Sequence, residues 1–263
     1  MKNQHGKFTG LFAALLGLLA GALTVQGQLY SPSNWLNDPF CANLNFALTG
    51  GDSTSPLFTN NGVQRGTLYA SSPIGATLAL THPGDSLSCT GQIVLTGDIN
   101  VDGNMQLRVG LFYRGENTRD TNWLGYMFGN PTGVGGEAKT GLYVRNNPNT
   151  GIFSSGSSDS ATRPPCADCT YNAGWGAGTY DFSLVITRLP GNAQSIAWKL
   201  AGVAPNIYSY SGTYTNQVAT TVPPAFDQVG ILGGAALFSS ASSSTSIGIR
   251  GLVVTLTKQN DAP

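Results

Sequence analysis

The sequence predicts an all-β protein, an antiparallel β-sandwich or jelly roll with two curved sheets and few or no helices. Charged residues make up only 10% of its 263 residues, while glycine alone contributes 35. This composition disfavours long helices built on Glu, Lys and Ala and favours β structure rich in turns. Roughly ten to thirteen short segments also alternate between apolar and polar residues or lie between turn signals. Many short strands with no internal repeat are typical of a sandwich.

The clearest segment is a β-hairpin over residues 179–201. Its first half alternates apolar with polar residues, and so does its second half, with the two-residue period of half-buried strands. Pro190, Gly191 and Asn192 between them supply turn chemistry, because proline presets φ while glycine and asparagine tolerate a positive φ. A hairpin does not bury its apolar face alone, so other strands must cover it.

The other predicted strands follow the same signals. They are Leu44–Leu48, Thr67–Ala70, Thr77–Leu80, Leu87–Leu95, Met105–Arg114, Trp123–Phe128, Gly141–Arg145, Ile207–Tyr214, Asp227–Leu232 and Ser246–Thr257. Residues 29–40 are expected to form an irregular arm, and residues 146–178 a long loop ordered by a disulfide bridge or by function.

The first 27 residues have the pattern of a secretory signal peptide. Lys2 and Lys7 precede an apolar run over residues 11–25, and small residues follow, with cleavage expected before Gln28 or at Ala22–Leu23. The alternative is a membrane anchor, but the run is shorter than the roughly 20 residues that a spanning helix needs. We therefore predict a secreted or cell-surface protein with no membrane span after cleavage. A single sandwich domain follows, with an arm and first strands over 28–86, a main body over 87–258 and a tail over 259–263.

Charge argues against some partners. Residues 28–263 contain 11 basic and 13 acidic residues, a net charge near −2. A protein that binds nucleic acid or anionic lipid usually presents a basic surface, so neither is the expected partner.

Four cysteines lie beyond the signal segment: Cys41, Cys89, Cys166 and Cys169. An even number in an exported protein predicts two disulfides, Cys166–Cys169 closing on itself and Cys41–Cys89. A redox CxxC or half of a zinc site is the alternative. A redox motif needs a helix start near a βαβ pattern, and zinc needs further ligands, for which His82 is the only histidine beyond residue 27.

Four segments carry a family resemblance: the strand around Tyr180–Phe182, the Trp198–Lys199 strand, residues 226–231 and residues 249–256. Their order and character resemble the C-terminal half of a concanavalin A-like lectin/glucanase domain of the LamG-like jelly-roll kind, over about residues 87–258. The resemblance implies two curved antiparallel sheets with ligands on the concave face.

The sequence does not support the catalytic chemistry of that superfamily. Its retaining glucanases carry paired glutamates in a pattern like E-x-D-x-x-E, because the reaction needs a nucleophile and an acid roughly 5 Å apart. This chain has only two glutamates, Glu116 and Glu137, 21 positions apart in loop-like segments. A Ser-His-Asp triad would have to use His82, and no G-x-S-x-G motif supports it.

One segment resembles a calcium-binding loop. Asp98, Asn100 and Asp102, followed by Gly103, match the opening of an EF-hand-like D-x-N-x-D-G sequence. The twelfth loop position is Val109, where a glutamate is expected, and a plain Asp-Gly hairpin turn explains the same residues. No cofactor is required by the sequence, and calcium is the one ion it suggests.

The best candidate binding surface combines arginines with aromatic residues on two predicted strands that we expect to be neighbours. Alternation places Arg108 and Arg114 on one face of their strand and Tyr143 with Arg145 on one face of another. If both faces are solvated they form a shallow groove, with Trp123, Tyr126 and Trp175 at its rim, where sugars stack on rings and bond to planar side chains. The alternative is an ordinary solvated sheet face.

These observations predict a secreted, lectin-like sandwich that binds a polysaccharide or other glycan without catalysis. One alternative is a structural or adhesive surface protein that associates with itself through a face rich in Ser, Thr and Gly. A second is a divergent polysaccharide-degrading enzyme using Glu116, Glu137 or Asp227.

Overall fold

Sixteen strands and two short 3-10 helices account for the regular structure of the described part of the chain. The computed structural model describes residues 27–37, 46–62, 67–103, 106–116, 123–131, 141–145, 161–162, 170–217, 222–239 and 244–259. All strand pairings in these ranges are antiparallel, and they form two sheets. The predicted antiparallel β-sandwich is therefore confirmed.

The first sheet has nine strands in the order β11-β14-β13-β12-β6-β16-β4-β3, with β1 pairing to β16. Its strands are β1 (Gly27–Tyr30), β3 (Phe46–Gly50), β4 (Leu57–Asn60), β6 (Ser86–Thr96), β11 (Thr170–Asn172), β12 (Gly178–Arg188), β13 (Gln194–Gly202), β14 (Ser209–Asn216) and β16 (Ser246–Thr257).

The second sheet has seven strands in the order β10-β9-β8-β7-β15-β5-β2. Its strands are β2 (Leu36–Asn37), β5 (Leu68–Ala79), β7 (Leu107–Tyr113), β8 (Leu124–Gly129), β9 (Leu142–Arg145), β10 (Ala161–Thr162) and β15 (Ala225–Gly233).

The main hydrophobic core lies between the two sheets. Alternate residues of every long strand point into it, for example Leu184 and Ile186 of β12, Trp198 of β13 and Val109 of β7. Each of these side chains is almost completely buried. Because side chains alternate along a strand, the residues between them form the outer faces of the two sheets.

The predicted hairpin is β12 and β13, paired from Tyr180↔Gly202 to Arg188↔Gln194. Its turn is the 3-10 helix Pro190–Asn192, in which Gly191 has φ 69° and Asn192 φ 64°. Both residues therefore adopt the left-handed conformation that the sequence predicts for this turn.

The sequence-based strand assignment is wrong in three segments. The two strands expected around residues 71–73 are one strand, β5, which crosses Pro73. A proline is tolerated there because β2 pairs with β5 only at Ala70 and Ser71, and because the register with β15 shifts beside it. The arm expected over residues 29–40 contains the end of β1 and the whole of β2. The long loop expected over residues 146–178 contains β10 and β11. Strands of two to four residues carry too few positions to show a period.

The prediction of a Cys41–Cys89 disulfide is wrong at Cys89, which is a free thiol with 0% of its surface exposed. Cys89 lies two positions after Leu87 on β6, on the same face of the strand, and therefore points into the core between the sheets. Cys41, Cys166 and Cys169 lie outside the described residues.

Cys89 should be chemically inert in the folded protein. Burial raises the pKa of its thiol to about 12, and only the thiolate is an effective nucleophile. We expect the Cys89 peptide to escape alkylation by iodoacetamide in the native protein and to be fully alkylated in guanidinium without reductant, as judged by mass spectrometry. Labelling that requires a reductant would show instead that Cys89 is in a disulfide.

The predicted signal peptide lies almost entirely outside the described residues, which begin at Gly27. The cleavage position predicted before Gln28 falls inside β1, where Gly27 pairs with Thr257 and Tyr30 with Val254. Across the described ranges, no helix has the length and apolar character needed to cross a bilayer.

Candidate functional site

The outer face of the seven-stranded sheet carries a second hydrophobic cluster. Its buried members come from β7, β8, β9 and β15 and from the residue before β8: Phe112, Trp123, Met127, Tyr143 and Leu232, with Tyr69 packed against them. These residues alternate with the core residues of the same strands, so they project to the opposite side of the sheet. This face is the one on which the sequence predicts a groove.

Alternation correctly predicts that Arg108 and Tyr143 share this face, because the guanidinium of Arg108 lies 4.7 Å from the centroid of the Tyr143 ring. Their strands are not neighbours, however, since β8 lies between β7 and β9. The face is also not solvated as predicted: Tyr143 and Arg145 are 0% exposed and Arg108 is 7% exposed. These three side chains form a packed surface, in which Arg108 lies over the Tyr143 ring and Arg145 donates a hydrogen bond to the backbone.

Tyr126 and Trp175, predicted at the rim of the groove, lie instead in the core between the sheets. The Tyr126 hydroxyl accepts a hydrogen bond from Nδ2 of Asn216 at 2.9 Å. The Trp175 ring packs 4.9 Å from the ring of Tyr180 and 5.2 Å from that of Tyr208. Tyr126 occupies an inward position of β8. The sequence pattern of this strand does not show which of its positions point inward and which point outward.

Two glycines, which no motif of the sequence marks, allow aromatic rings to lie directly on this face. A Cβ at Gly110 would collide with the Phe112 ring and with Cβ of Met127. A Cβ at Gly125 would collide with the carbonyl oxygen of Leu111 on the neighbouring strand. A glycine inside a strand is a signal of such close approach.

Arg145 organises the centre of the face. Its Nε donates a hydrogen bond to the carbonyl oxygen of Trp123 at 3.0 Å, and the whole side chain is buried. This contact connects β9 to the residue that precedes β8, and it fixes the backbone that carries the Trp123 ring.

The accessible part of the face lies where β7 ends, and we call it the Arg114 site: Arg114, Gly115, Trp123 and Asp227. The guanidinium of Arg114 lies 5.8 Å from the centroid of the Trp123 ring. The Asp227 carboxylate accepts hydrogen bonds from the backbone N–H groups of Arg114 and Gly115 at 2.7 and 3.0 Å. Arg114, Gly115 and Asp227 are each partly exposed.

The environment of Asp227 raises its pKa. Burial is the largest cause, and it outweighs the opposing hydrogen bonds from the backbone of Arg114 and Gly115 and the charge of Arg114. Asp227 lies at the irregularity in β15 between Phe226 and Gln228, which interrupts the pairing with β5. Such bulges re-aim side chains and often occur beside functional sites. From the sequence alone, Asp227 is a candidate only for catalysis.

The residues of the predicted calcium loop form a turn between β6 and β7. The side-chain oxygen of Asn100 accepts the Asp102 backbone N–H at 3.1 Å, and its Nδ2 donates to the Ala236 carbonyl at 3.0 Å. Asp98 and Asp102 are exposed. Among the described residues, no three or more His, Cys, Asp and Glu side chains gather closely enough to hold a metal ion.

The residues considered for catalysis are dispersed where the structure describes them. Glu116 is exposed at the end of the Arg114 site, and His82 is exposed in the loop between β5 and β6. Glu137 lies outside the described residues.

The two sheets define a jelly roll of the concanavalin A-like kind, as the sequence resemblance implies. Solved structures agree: the chain matches arcelin-5, a lectin-like defense protein from Phaseolus vulgaris, at 9% identity over 89% of this chain and 99% of that one, with a TM-score of 0.50. A basic winged bean lectin with Tn-antigen matches at 8% identity over 89% and 100% of the two chains, with a TM-score of 0.49. The fold is therefore similar to that of arcelin-5.

The likeness extends to the fold alone. No protein-family model matches the sequence. No curated protein matches it either.

Proposed function

We propose that the protein is a lectin-like module that binds a glycan at the Arg114 site without catalysis. The observation that carries this proposal is the grouping of a guanidinium, an indole ring and a partly exposed carboxylate at one end of the outer face of the seven-stranded sheet. The fold, shared with arcelin-5, is consistent with it. The winged bean lectin with a similar fold is described with Tn-antigen bound.

The chemistry of the site suits a sugar. A carboxylate accepts hydrogen bonds from hydroxyl groups, and a guanidinium donates to sugar oxygens through a planar fork. The backbone N–H groups of Arg114 and Gly115 donate to different oxygens of Asp227, and a carboxylate has about four lone-pair sites, so it can accept further hydrogen bonds from a ligand. The guanidinium of Arg114 lies over the Trp123 ring, and this contact holds it in position before a ligand binds.

A glycan array of the purified protein, with and without calcium, tests the proposal. We expect Arg114→Ala to weaken binding about ten-fold or more, because a hydrogen bond to a charged group contributes about 1.5–3 kcal/mol. Asp227→Asn should weaken it similarly. Lys199→Ala removes an exposed cation from the other sheet and is the matched control, which should bind as the wild type does.

Oligomeric state separates this proposal from the structural alternative. Light scattering of the same samples should show no assembly that depends on Arg114 or Asp227. A protein that binds no glycan on the array and forms large assemblies in solution would contradict the proposal and favour a self-associating surface protein.

A further inference from the structure

A depression of about 430 Å³ interrupts the outer face of the nine-stranded sheet, on the side of the molecule opposite to the Arg114 site. It lies where β16 bulges. Arg250 pairs with Gln92 and Val253 with Thr90, so two residues of β16 stand opposite Gly91 alone. Gly251 in the bulge has φ 58°, a left-handed conformation that glycine adopts without strain.

Polar side chains of opposite charge flank the depression. Strand pairing places Asp181, Gln92 and Arg250 in one row across β12, β6 and β16. Nε2 of Gln92 donates to the Asp181 carboxylate at 2.9 Å, so the amide is turned toward Asp181 and away from Arg250. The side chain of Arg250 is exposed, and its guanidinium makes no hydrogen bond or ion pair with the residues that the structure describes. Toward those residues its five N–H donors are unused, so they can bind a ligand.

The surface around the depression is rich in hydroxyl groups. The next row across the strands contains Ser211, Lys199, Ser183, Thr90 and Val253. Ser183 and Lys199 also line a second, smaller depression of about 350 Å³. Hydroxyl-rich shallow surfaces of this kind suit a hydrated ligand that exchanges hydrogen bonds with water, and they offer little to an apolar one.

We infer that the depression at the β16 bulge is a second saccharide site and that it takes a sugar residue carrying a carboxylate. A guanidinium binds a planar carboxylate through two parallel hydrogen bonds, which is the strongest interaction that the row offers. The carboxylate of Asp181 and the hydroxyl of Thr90 then face the hydroxyl groups of the same sugar. The inference is independent of the Arg114 site, because no residue is shared between the two.

Titration of the isotope-labelled protein with sodium D-glucuronate, followed by amide NMR, tests this site. We expect the amides of Gly91 and Gly251 to shift and Arg250→Ala to raise the dissociation constant about ten-fold or more. Arg250→Lys keeps the charge but loses the fork, and should give an intermediate value. Thr96→Ala removes an exposed hydroxyl from the same face of β6, outside the lining of the depression, and is the control that should leave the dissociation constant unchanged.

Two further probes identify the chemistry that is recognised. D-Glucose lacks the carboxylate and should produce little change, and sodium acetate lacks the sugar and should bind more weakly than glucuronate. Equal effects of glucose and glucuronate, equal effects of acetate and glucuronate, or an Arg250→Ala variant that binds as the wild type does would each overturn the inference. Asp227→Asn should leave this titration unchanged, so failure at the Arg114 site is distinguishable from failure here.

Discussion

Replacing Asp85 with Asn should destabilise the fold by about 3 kcal/mol, because the substitution removes a buried carboxylate charge that is paired with a lysine and mismatches the donors around it. The Asp85 side chain is 0% exposed and lies 2.9 Å from Nζ of Lys258. The backbone N–H groups of Thr81, His82 and Gln259 also donate to it, at 2.8, 3.0 and 2.9 Å. An asparagine at this position would turn an NH₂ group toward N–H donors. Denaturant unfolding at pH 7 measures the loss, which corresponds to a melting temperature about 6–12 °C lower.

The effect of Asp85 should depend on pH. Burial acts to raise its pKa, but the hydrogen bonds from Lys258 and from three backbone N–H groups outweigh it and hold the pKa below the usual 3.8. A group with a lowered folded pKa stabilises the protein fully above its unfolded pKa and loses that contribution as the pH falls through the folded value. The difference between wild type and Asp85→Asn should therefore be constant from pH 5 to 8 and shrink below about pH 4.

An exposed carboxylate provides the control for Asp85. Asp181 accepts a hydrogen bond from the Gln92 amide on the sheet surface, and an asparagine there accepts the same bond through its carbonyl oxygen. Asp181→Asn should change stability by less than about 0.5 kcal/mol at every pH. Equal losses for the two variants would contradict the special role of Asp85.

The importance of Asp85 was not visible in the sequence, whereas the strands around it were. The segment Thr81–Asp85 has turn chemistry, but its main partner lies 173 positions away, at the end of β16. Strand β16 is predicted at its observed bounds, because its second half, residues 252–257, alternates strictly beyond the bulge. Periodicity is a local property of the chain, and the pairing that brings Lys258 to Asp85 is not.

The candidate site shows the same difference between what local periodicity predicts and what depends on long-range packing. Alternation along β7 and β9 predicts correctly that Arg108 and Tyr143 share a face. It does not show whether that face is covered, so the solvated groove was a wrong prediction for Tyr143 and Arg145. Asp227 belongs to the accessible end because a bulge shifts the register of β15, and a bulge has no two-residue period.

Replacing Arg145 with Ala should destabilise the fold by about 3–5 kcal/mol, because it leaves a large cavity and removes a buried donor. Arg145 is the largest of the fully buried side chains, and its Nε donates to the Trp123 carbonyl at 3.0 Å. Arg145→Met keeps most of the volume and should cost less, about 1–3 kcal/mol, since it loses mainly the hydrogen bonds. Denaturant unfolding of the two variants separates the packing contribution from the hydrogen bonds.

Arg250→Ala is the matched control for Arg145, because Arg250 has the same chemistry but lies exposed on the other sheet. It should change stability by less than about 0.5 kcal/mol. If Arg145→Ala were equally harmless, the face would be open to solvent, as the sequence pattern alone predicts, and Tyr143 and Arg108 would become candidates for direct contact with a glycan. A large loss of stability for Arg145→Ala, with little loss for Arg250→Ala, would show that the centre of the face is covered. The surface that can bind a ligand is then the accessible end at Arg114 and Asp227.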